Sequence, residues 1–566
     1  MPSVPPAAVY YVPSLPGLPA DAHEPFDTYA GYLPARADGA DGKPADNAHL
    51  YFVLHRAMRR SANRRLVVWF NGGPGCSSFD GLMMEVGPWR FQNNSTTLVW
   101  TERGGSLNEY VDVLYVDQPV GTGFSYVSNN AYTRTLTQAA REVVFFLERL
   151  VEVFPEYARS VHEAKGTGTG VDVYLAGESY AGQYIPFIAH ELAKNPSAPV
   201  RLAGIAIGNG YIDPATQSGS ELDMMISERG WGRNGDNANK VKSRIDECHK
   251  ALQKRPGPLL EYRECDGIVQ QILELTERES PKHCVNIYDI RLNATAPECG
   301  MNWPETIEPM YTYLRRNDVR AALHVDEKYH PEAWVECRST VGSVIHASAD
   351  STNASVTLLP SLIESGVPVL VFAGDKDLLC NHIGLERMAS QLTWRGARGF
   401  DTQAQEYTVA GAHAGTWRAS RGLSYVRVAD ASHMVGFDKP VVMHDLMLRF
   451  MNVSVDAPFT GPKRIDSVVG NDTRTIVAGL PKKPVPQTRP VSDAQPVLPV
   501  RSPQSSYLWF LILVIGAAVF VLWYRWKKRQ APTLESPHPR TREYAPVDLE
   551  ERGEDNELSQ FRIEDD

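Results

Sequence analysis

Residues 171–184 read Val-Asp-Val-Tyr-Leu-Ala-Gly-Glu-Ser-Tyr-Ala-Gly-Gln-Tyr, an apolar run that stops at a serine set among small residues. Val171 to Ala176 predicts a buried strand, and the residues after Gly182 predict the start of a helix. A serine on so sharp a strand-to-helix turn projects its hydroxyl off the edge of a sheet. Only small neighbours let the two backbones pass that closely. The pattern is Gly-x-Ser-x-Ala, with Gly182 following the alanine. Such a stretch points to an α/β architecture, a mostly parallel sheet flanked by helices. Ordinary turns carry the same pattern, so Ser179 needs partners before it means chemistry.

Partners follow downstream. Val367-Pro-Val-Leu-Val-Phe-Ala-Gly-Asp-Lys-Asp377 predicts a second buried strand ending in acids, and Tyr425-Val-Arg-Val-Ala-Asp-Ala-Ser-His433-Met predicts a short strand and a loop carrying histidine. Serine, aspartate and histidine, each just past a strand's carboxyl end, is the chain order of α/β-hydrolases. The chemistry needs a base within reach of the hydroxyl and a buried carboxylate to fix the imidazole's tautomer. The chain has 15 histidines, and His190, His382 and His413 compete with His433 for that place. Leu66-Val-Val-Trp-Phe-Asn-Gly-Gly-Pro-Gly-Cys-Ser-Ser78 adds a strand running into a glycine loop. Such a loop can aim bare backbone N–H groups at a developing oxyanion.

Asn-Gly-Gly-Pro-Gly-Cys-Ser-Ser, Gly-Glu-Ser-Tyr-Ala-Gly, Gly-Asp-x-Asp and the late His-Met together resemble the serine carboxypeptidase family, over about residues 10–455 and including Tyr115-Val-Asp-Gln-Pro-Val-Gly-Thr-Gly-Phe-Ser-Tyr126. The resemblance implies an α/β-hydrolase fold with Ser179 as nucleophile, His433 as base and Asp377, not Asp375, as the orienting carboxylate. It places the oxyanion hole at the N–H groups of Gly73 and Tyr180, and the grip on the substrate's free carboxylate at Asn71, Gly72, Glu85 and Glu178, with Trp69 nearby. It pairs Cys76 with Cys337, Cys248 with Cys265 and Cys284 with Cys299, leaving Cys380 as a free thiol. Three carboxyl groups at close range cannot all be charged, so Glu85 and Glu178 should hold protons and donate to the substrate, favouring activity in acid. Without the resemblance, Glu85 reads as a solvated surface acid.

Other chemistries fit poorly. His190-Glu-Leu-Ala-Lys lacks the second histidine of a zinc helix, and the seven cysteines contain no Cys-x-x-Cys pair. No phosphate loop or dinucleotide fingerprint stands out, so no cofactor and no metal is implied. A net charge of −10 argues against a nucleic-acid partner.

The chain's 566 residues exceed one ordinary domain. We expect a hydrolase core at 1–213 and 346–457, interrupted at 214–345 by a cap over the active-site mouth. Five of the seven cysteines fall between Gln217 and Ser343, a stretch with many charges and few long apolar runs. A proline-rich luminal tether is expected at 458–506. Tyr507–Tyr524 follows as eighteen uncharged residues, about 27 Å as a helix and enough to span a bilayer. Arg525, Lys527, Lys528 and Arg529 then place the acidic tail, 525–566, in the cytosol. The tail contains Tyr544-Ala-Pro-Val547, which matches a short tyrosine sorting signal. Sequons begin at Asn93, Asn94, Asn293, Asn353, Asn452 and Asn471, all before the span. Met1–Ala8 has neither the basic start nor the apolar stretch of a signal peptide, so a luminal body requires a leader outside this sequence.

The span and tail resemble the fungal pheromone-processing branch of the family. That implies a single-pass enzyme of the late Golgi that trims Lys and Arg from the carboxyl ends of propeptides, with peptides and the bilayer as partners. A broad-specificity carboxypeptidase, a carboxypeptidase-like acyltransferase and a non-catalytic adhesion module remain as alternatives. The last is expected to lack Ser179 or His433.

Overall fold

The apolar runs of the sequence lie side by side. In the computed structural model, thirteen strands among the described residues form one mixed sheet. In chain order they are β1 (Tyr11–Val12), β2 (Thr28–Pro34), β3 (His49–His55), β4 (Arg65–Phe70), β5 (Asp112–Asp117), β6 (Asp172–Glu178), β7 (Arg201–Gly208), β8 (Val369–Gly374), β9 (Gln405–Val409), β10 (Ala412–Ser420), β11 (Leu423–Val428), β12 (Lys463–Val469) and β13 (Asp472–Ala478). The spatial order is β1-β2-β3-β5-β4-β6-β7-β8-β11-β10-β9-β12-β13. Strands β5, β4, β6, β7, β8 and β11 run parallel to their neighbours and make the centre; antiparallel strands flank them on both sides.

The structure describes residues 5–478 apart from 19–25, 38–46, 60–63, 93–94, 160–169, 256, 331–332, 350–351 and 454–462. The expected span Tyr507–Tyr524, the basic cluster at Arg525–Arg529, the acidic tail with Tyr544–Val547, the tether beyond 478 and the sequons at Asn93 and Asn94 lie outside the described residues. No helix among the described residues is long and apolar enough to cross a membrane.

The central strands are apolar throughout because both faces are covered. Leu66, Val68 and Phe70 of β4 enter one hydrophobic cluster with Phe146, Leu147, Ile185 and Ile188, from helices α1 (Leu136–Val153) and α2 (Ala181–Lys194). Val67 and Trp69 enter a second cluster with Met83, Met84, Leu446 and Met447 on the opposite face. Helix α1 starts where the Thr135 side chain accepts from Gln138 N at 3.1 Å, a cap that satisfies an otherwise unpaired donor. Its buried residues, Ala139, Ala140, Val143, Phe146, Leu147 and Leu150, recur at helical spacing.

Residues 214–346 add no strand to the sheet among the described residues. Helices Asp236–Lys254 and Arg263–Glu279 pack around their own cluster of Val241, Ile268, Ile272 and Leu275, and the Cys248–Cys265 disulfide joins them. Cys284–Cys299 lies beside a small hairpin, His283–Val285 with Asn293–Thr295.

One expected boundary is corrected. The tether was expected from residue 458, yet 463–478 form the β12–β13 hairpin on the edge of the main sheet. Buried Ile465, Ser467 and Val469 alternate with Asp466 and Val468, and Gly470 and Asn471 make the turn. Arg449 fastens the hairpin by donating to Ser467 O at 2.7 Å and pairing with Asp445 and Asp472. Asn293, Asn353, Asn452 and Asn471 are all exposed.

Candidate active site

Strands β4, β6, β7, β8 and β11 point their carboxyl ends at one edge, where loops in an α/β sheet form a crevice. Ser179 follows β6 directly, with φ of 60°, in a left-handed conformation a serine rarely adopts. The turn is held by Ser179 N donating to Gly208 O at 3.1 Å, and by Gly182 N and Tyr211 N donating to Ser179 O, each at 2.9 Å. Close approach explains the small residues. A Cβ on Gly177 would lie 2.0 Å from Phe70 O, and one on Gly72 would lie 2.4 Å from Tyr180 N. The glycine loop therefore sits directly against the serine turn, with Gly73 exposed and Tyr180 N at the mouth of α2.

Asp377 and His433 meet in the loops after β8 and β11. His433 Nδ1 lies 2.7 Å from Asp377 Oδ2, and both residues are buried. A carboxylate only accepts, so Nδ1 carries the proton and Nε2 is left as the nitrogen able to take one. Asp377 also accepts from Leu379 N at 2.9 Å, Cys380 N at 3.2 Å and Asn209 Nδ2 at 2.9 Å. Asn209, just past β7, in turn accepts from Gly374 N at 2.9 Å, which ties β7 to the base of the aspartate loop. The Tyr288 ring lies 4.8 Å from the His433 ring, and Tyr288 O accepts from His433 N at 2.9 Å. Neither Asn209 nor Tyr288 was expected. The signal for Asn209 was an isolated polar residue in Ile207-Gly-Asn-Gly at a strand end.

Asp375 plays a different part, accepting from Asp430 N at 2.9 Å with Lys376 at 3.7 Å. His382 is buried at a helix start, His413 is exposed beside Glu406, and His190 lies on α2. Cys76 is bonded to Cys337. Cys380 is unbridged and buried, and burial holds its thiol well above the usual range.

Glu85 and Glu178 are brought together under Asn71. Asn71 Nδ2 donates to Glu85 Oε1 at 3.1 Å and to Glu178 Oε1 at 3.2 Å. Asn71 Oδ1 accepts from Trp69 Nε1 at 2.8 Å and Gly81 N at 3.0 Å, which fixes the amide's orientation. Glu85 is therefore no surface acid; it is 1% exposed and Glu178 is 4% exposed. Burial raises the Glu85 carboxyl above the ordinary range. Burial, then repulsion from Glu85, raises Glu178 well above it, so Glu178 holds the proton and donates to its partner.

A central parallel sheet with Ser, Asp and His past the carboxyl ends of β6, β8 and β11, and paired carboxyls beside them, defines an α/β enzyme of the serine-hydrolase class. The serine carboxypeptidase family profile matches residues 16–453. A pheromone-processing carboxypeptidase KEX1 of Coprinopsis cinerea is 38% identical, over 97% of this chain and 88% of that protein. Its counterpart in Aspergillus fumigatus is 37% identical, over 91% and 80%. The crystal structure of Kex1(Δ)p, a prohormone-processing carboxypeptidase from Saccharomyces cerevisiae, superposes with a TM-score of 0.70 at 29% identity, covering 83% of this chain and 100% of that one. The chain belongs to the serine carboxypeptidase family and is a peptide hydrolase.

Proposed function

We propose that Ser179 is the acyl acceptor of a carboxypeptidase that removes C-terminal Lys and Arg from propeptides. His433 Nε2 takes the Ser179 proton as Oγ bonds to the scissile carbonyl carbon. The N–H groups of Gly73 and Tyr180 stabilise the oxyanion. When the intermediate collapses, the C–N bond breaks and His433 returns the proton to the departing amino acid. Water, deprotonated by the same imidazole, then frees the acyl group and regenerates the hydroxyl. Asp377 holds the imidazole's tautomer, and Asn209 holds Asp377. Asn71, Gly72, Glu85 and Glu178, backed by Trp69, receive the substrate's free carboxylate. The observation that carries this reading is the buried acid pair under Asn71 beside the histidine–aspartate couple, because an endopeptidase has no use for protonated acids aimed at a chain terminus.

The pheromone-processing names of the KEX1 relatives support the propeptide substrates; the basic preference rests on the resemblance to that branch of the family. We place the body in the Golgi lumen, with 507–524 spanning the bilayer, 525–566 in the cytosol and residues 214–345 shaping the mouth of the site. The charge cluster at Arg525–Arg529 supports that orientation, as do four exposed sequons at Asn293, Asn353, Asn452 and Asn471. The test is a mass-detected time course on peptides ending in Lys, Arg, Leu or an amide. Lys and Arg should be removed first and the amide last. Faster removal of Leu would return the enzyme to broad specificity.

A further inference from the structure

The stretch Tyr115–Tyr126 takes no part in the steps above, yet its aspartate reaches the glycine loop. Asp117 closes β5 and is 2% exposed. Its Oδ1 accepts from Ser77 Oγ at 2.7 Å and from Ser78 N at 2.9 Å, and its Oδ2 accepts from Phe124 N at 2.9 Å. Accepting from three donors suits an ionised carboxylate. The surrounding turn is shaped around that group. Gly123 has φ of 50°, and a Cβ there would lie 2.1 Å from Asp117 Oδ2. Ser125 Oγ donates to Asp117 O at 2.6 Å, so the turn closes back onto the strand it left.

What Asp117 holds is the far end of the glycine loop. Gly73 has φ of 103°, and a Cβ on it would lie 2.7 Å from Gly75 N and 2.8 Å from Cys76 N, so residues 72–76 fold tightly on themselves. Cys76 N closes the turn on Gly72 O at 3.3 Å. The place of so tight a turn is set by its two ends, and both ends meet at Ser78. Ser78 N is held by Asp117, while Ser78 Oγ donates to Val116 O at 2.7 Å and accepts from Asn71 N at 3.2 Å. A second set of ties comes from residues 336–338: the Cys76–Cys337 disulfide, Ser77 N to Glu336 O at 2.8 Å and Arg338 N to Gly75 O at 3.0 Å. Val116 and Asp117 differ from these because they belong to β5, which pairs with β4 on the side opposite β6. Ser179 follows β6, so one rigid stretch of sheet carries both the loop and the serine.

We infer that Asp117 is a positioning residue for the oxyanion hole, holding the Gly73 N–H in place against Ser179 through Ser77 and Ser78; the assignment rests on the oxyanion role proposed above for Gly73. A carboxylate serves here because one oxygen accepts from a hydroxyl and a backbone N–H together while the other accepts from Phe124. Preorganised oxyanion donors act in the transition state, so loosening one lowers kcat and spares KM. A purely structural clasp between two loops is the competing role, and its loss would lower stability while leaving kcat alone.

The full-length enzyme, Asp117→Asn and Ser77→Ala are compared well below their melting temperatures, on one peptide as acid and as amide. Active sites are counted with a serine-directed phosphonate carried to completion, so partial misfolding does not enter the rates. Asp117→Asn keeps an oxygen for the two serines but turns an NH2 toward Phe124 N. Ser77→Ala removes one hydrogen bond and no charge, and carries the comparison if Asp117→Asn accumulates poorly. kcat should fall roughly 10- to 100-fold in Asp117→Asn and about three- to tenfold in Ser77→Ala, equally for acid and amide, with KM unmoved. A peptide aldehyde, whose carbonyl carbon adds Ser179 Oγ and whose oxygen then sits where the oxyanion forms, should lose affinity by the same factor, and the matching alcohol should lose none. Wild-type kcat in the variants would make the clasp structural and overturn the assignment. A loss confined to the acid would overturn it too, by routing the effect through Asn71. A wild-type enzyme that binds aldehyde and alcohol equally would remove the oxyanion reading beneath it instead, and the two failures are told apart by which protein shows them.

Discussion

Raising the pH should weaken this enzyme's hold on peptide acids and much less its hold on peptide amides. The cause is the Glu85–Glu178 pair under Asn71. Its pKa values are raised above the ordinary carboxylate range, Glu178 the more strongly, so the proton-bearing form persists beyond the pH at which exposed glutamates ionise. The sign follows: the donor to the substrate's carboxylate is present at low pH and is lost as pH rises through the pair's raised pKa. Once it is lost, a carboxylate faces a carboxylate. At about 4 Å and an effective dielectric of ~20, that repulsion is about 4 kcal/mol, on the order of 10³-fold in kcat/KM. Loss of one proton limits the fall to about tenfold per pH unit.

The assay is kcat/KM against pH for one peptide as acid and as amide. The acid's profile should drop steeply on the alkaline side, chiefly through KM, while the amide's stays flatter. Glu178→Gln keeps a donor toward Glu85 but cannot ionise, so its profile on the acid should approach that of the amide. Parallel profiles for acid and amide, or an unchanged alkaline slope in Glu178→Gln, would refute the clamp.

Ser179→Ala and Asp377→Asn should each reduce kcat on the order of 10⁴-fold without unfolding the chain. Asp375→Asn, whose partners are Asp430 N and Lys376, should cost about 1 kcal/mol of stability and leave kcat near wild type; a catalytic collapse there would reverse the two acids' roles. Asn209→Leu removes the 2.9 Å bond to Asp377 and strands Gly374 N. It should lower kcat roughly 10- to 100-fold while KM for peptide acids holds, and an unchanged kcat would show that the backbone donors suffice. Truncation before Tyr507 should release a soluble enzyme with unaltered kinetics, checked by sedimentation after carbonate extraction of membranes; a full-length chain that also stays in the supernatant would end the span.

The residues proposed to react were legible because nucleophile, acid and base must sit where strands end, and apolar runs that stop shortly before Ser179, Asp377 and His433 record those ends. The buried Glu85–Glu178 pair was legible only through resemblance, since nothing about Glu85 in isolation separates a buried acid from a solvated one. The β12–β13 hairpin escaped because its alternation is brief and runs straight into a proline-rich stretch. Asn209 escaped because its function lies wholly in what it touches.

Glu336 shows why the remainder stays hidden. Its hydrogen-bonded neighbour Ser77 belongs to the glycine-loop motif, and Glu336 reaches it because the chain returns to that loop at the Cys76–Cys337 disulfide. Local pattern reports the secondary structure a residue occupies, while a subsite is defined by which distant loops arrive together. The proposed catalytic set lies at the ends of strands β6, β8 and β11, so its order survives in the sequence. The contact between the insertion and the glycine loop, through Cys76–Cys337 and Ser77 N to Glu336 O, leaves no such order in the sequence. A contact of that kind depends on no strand end, so nothing in the local pattern around Glu336 announces it.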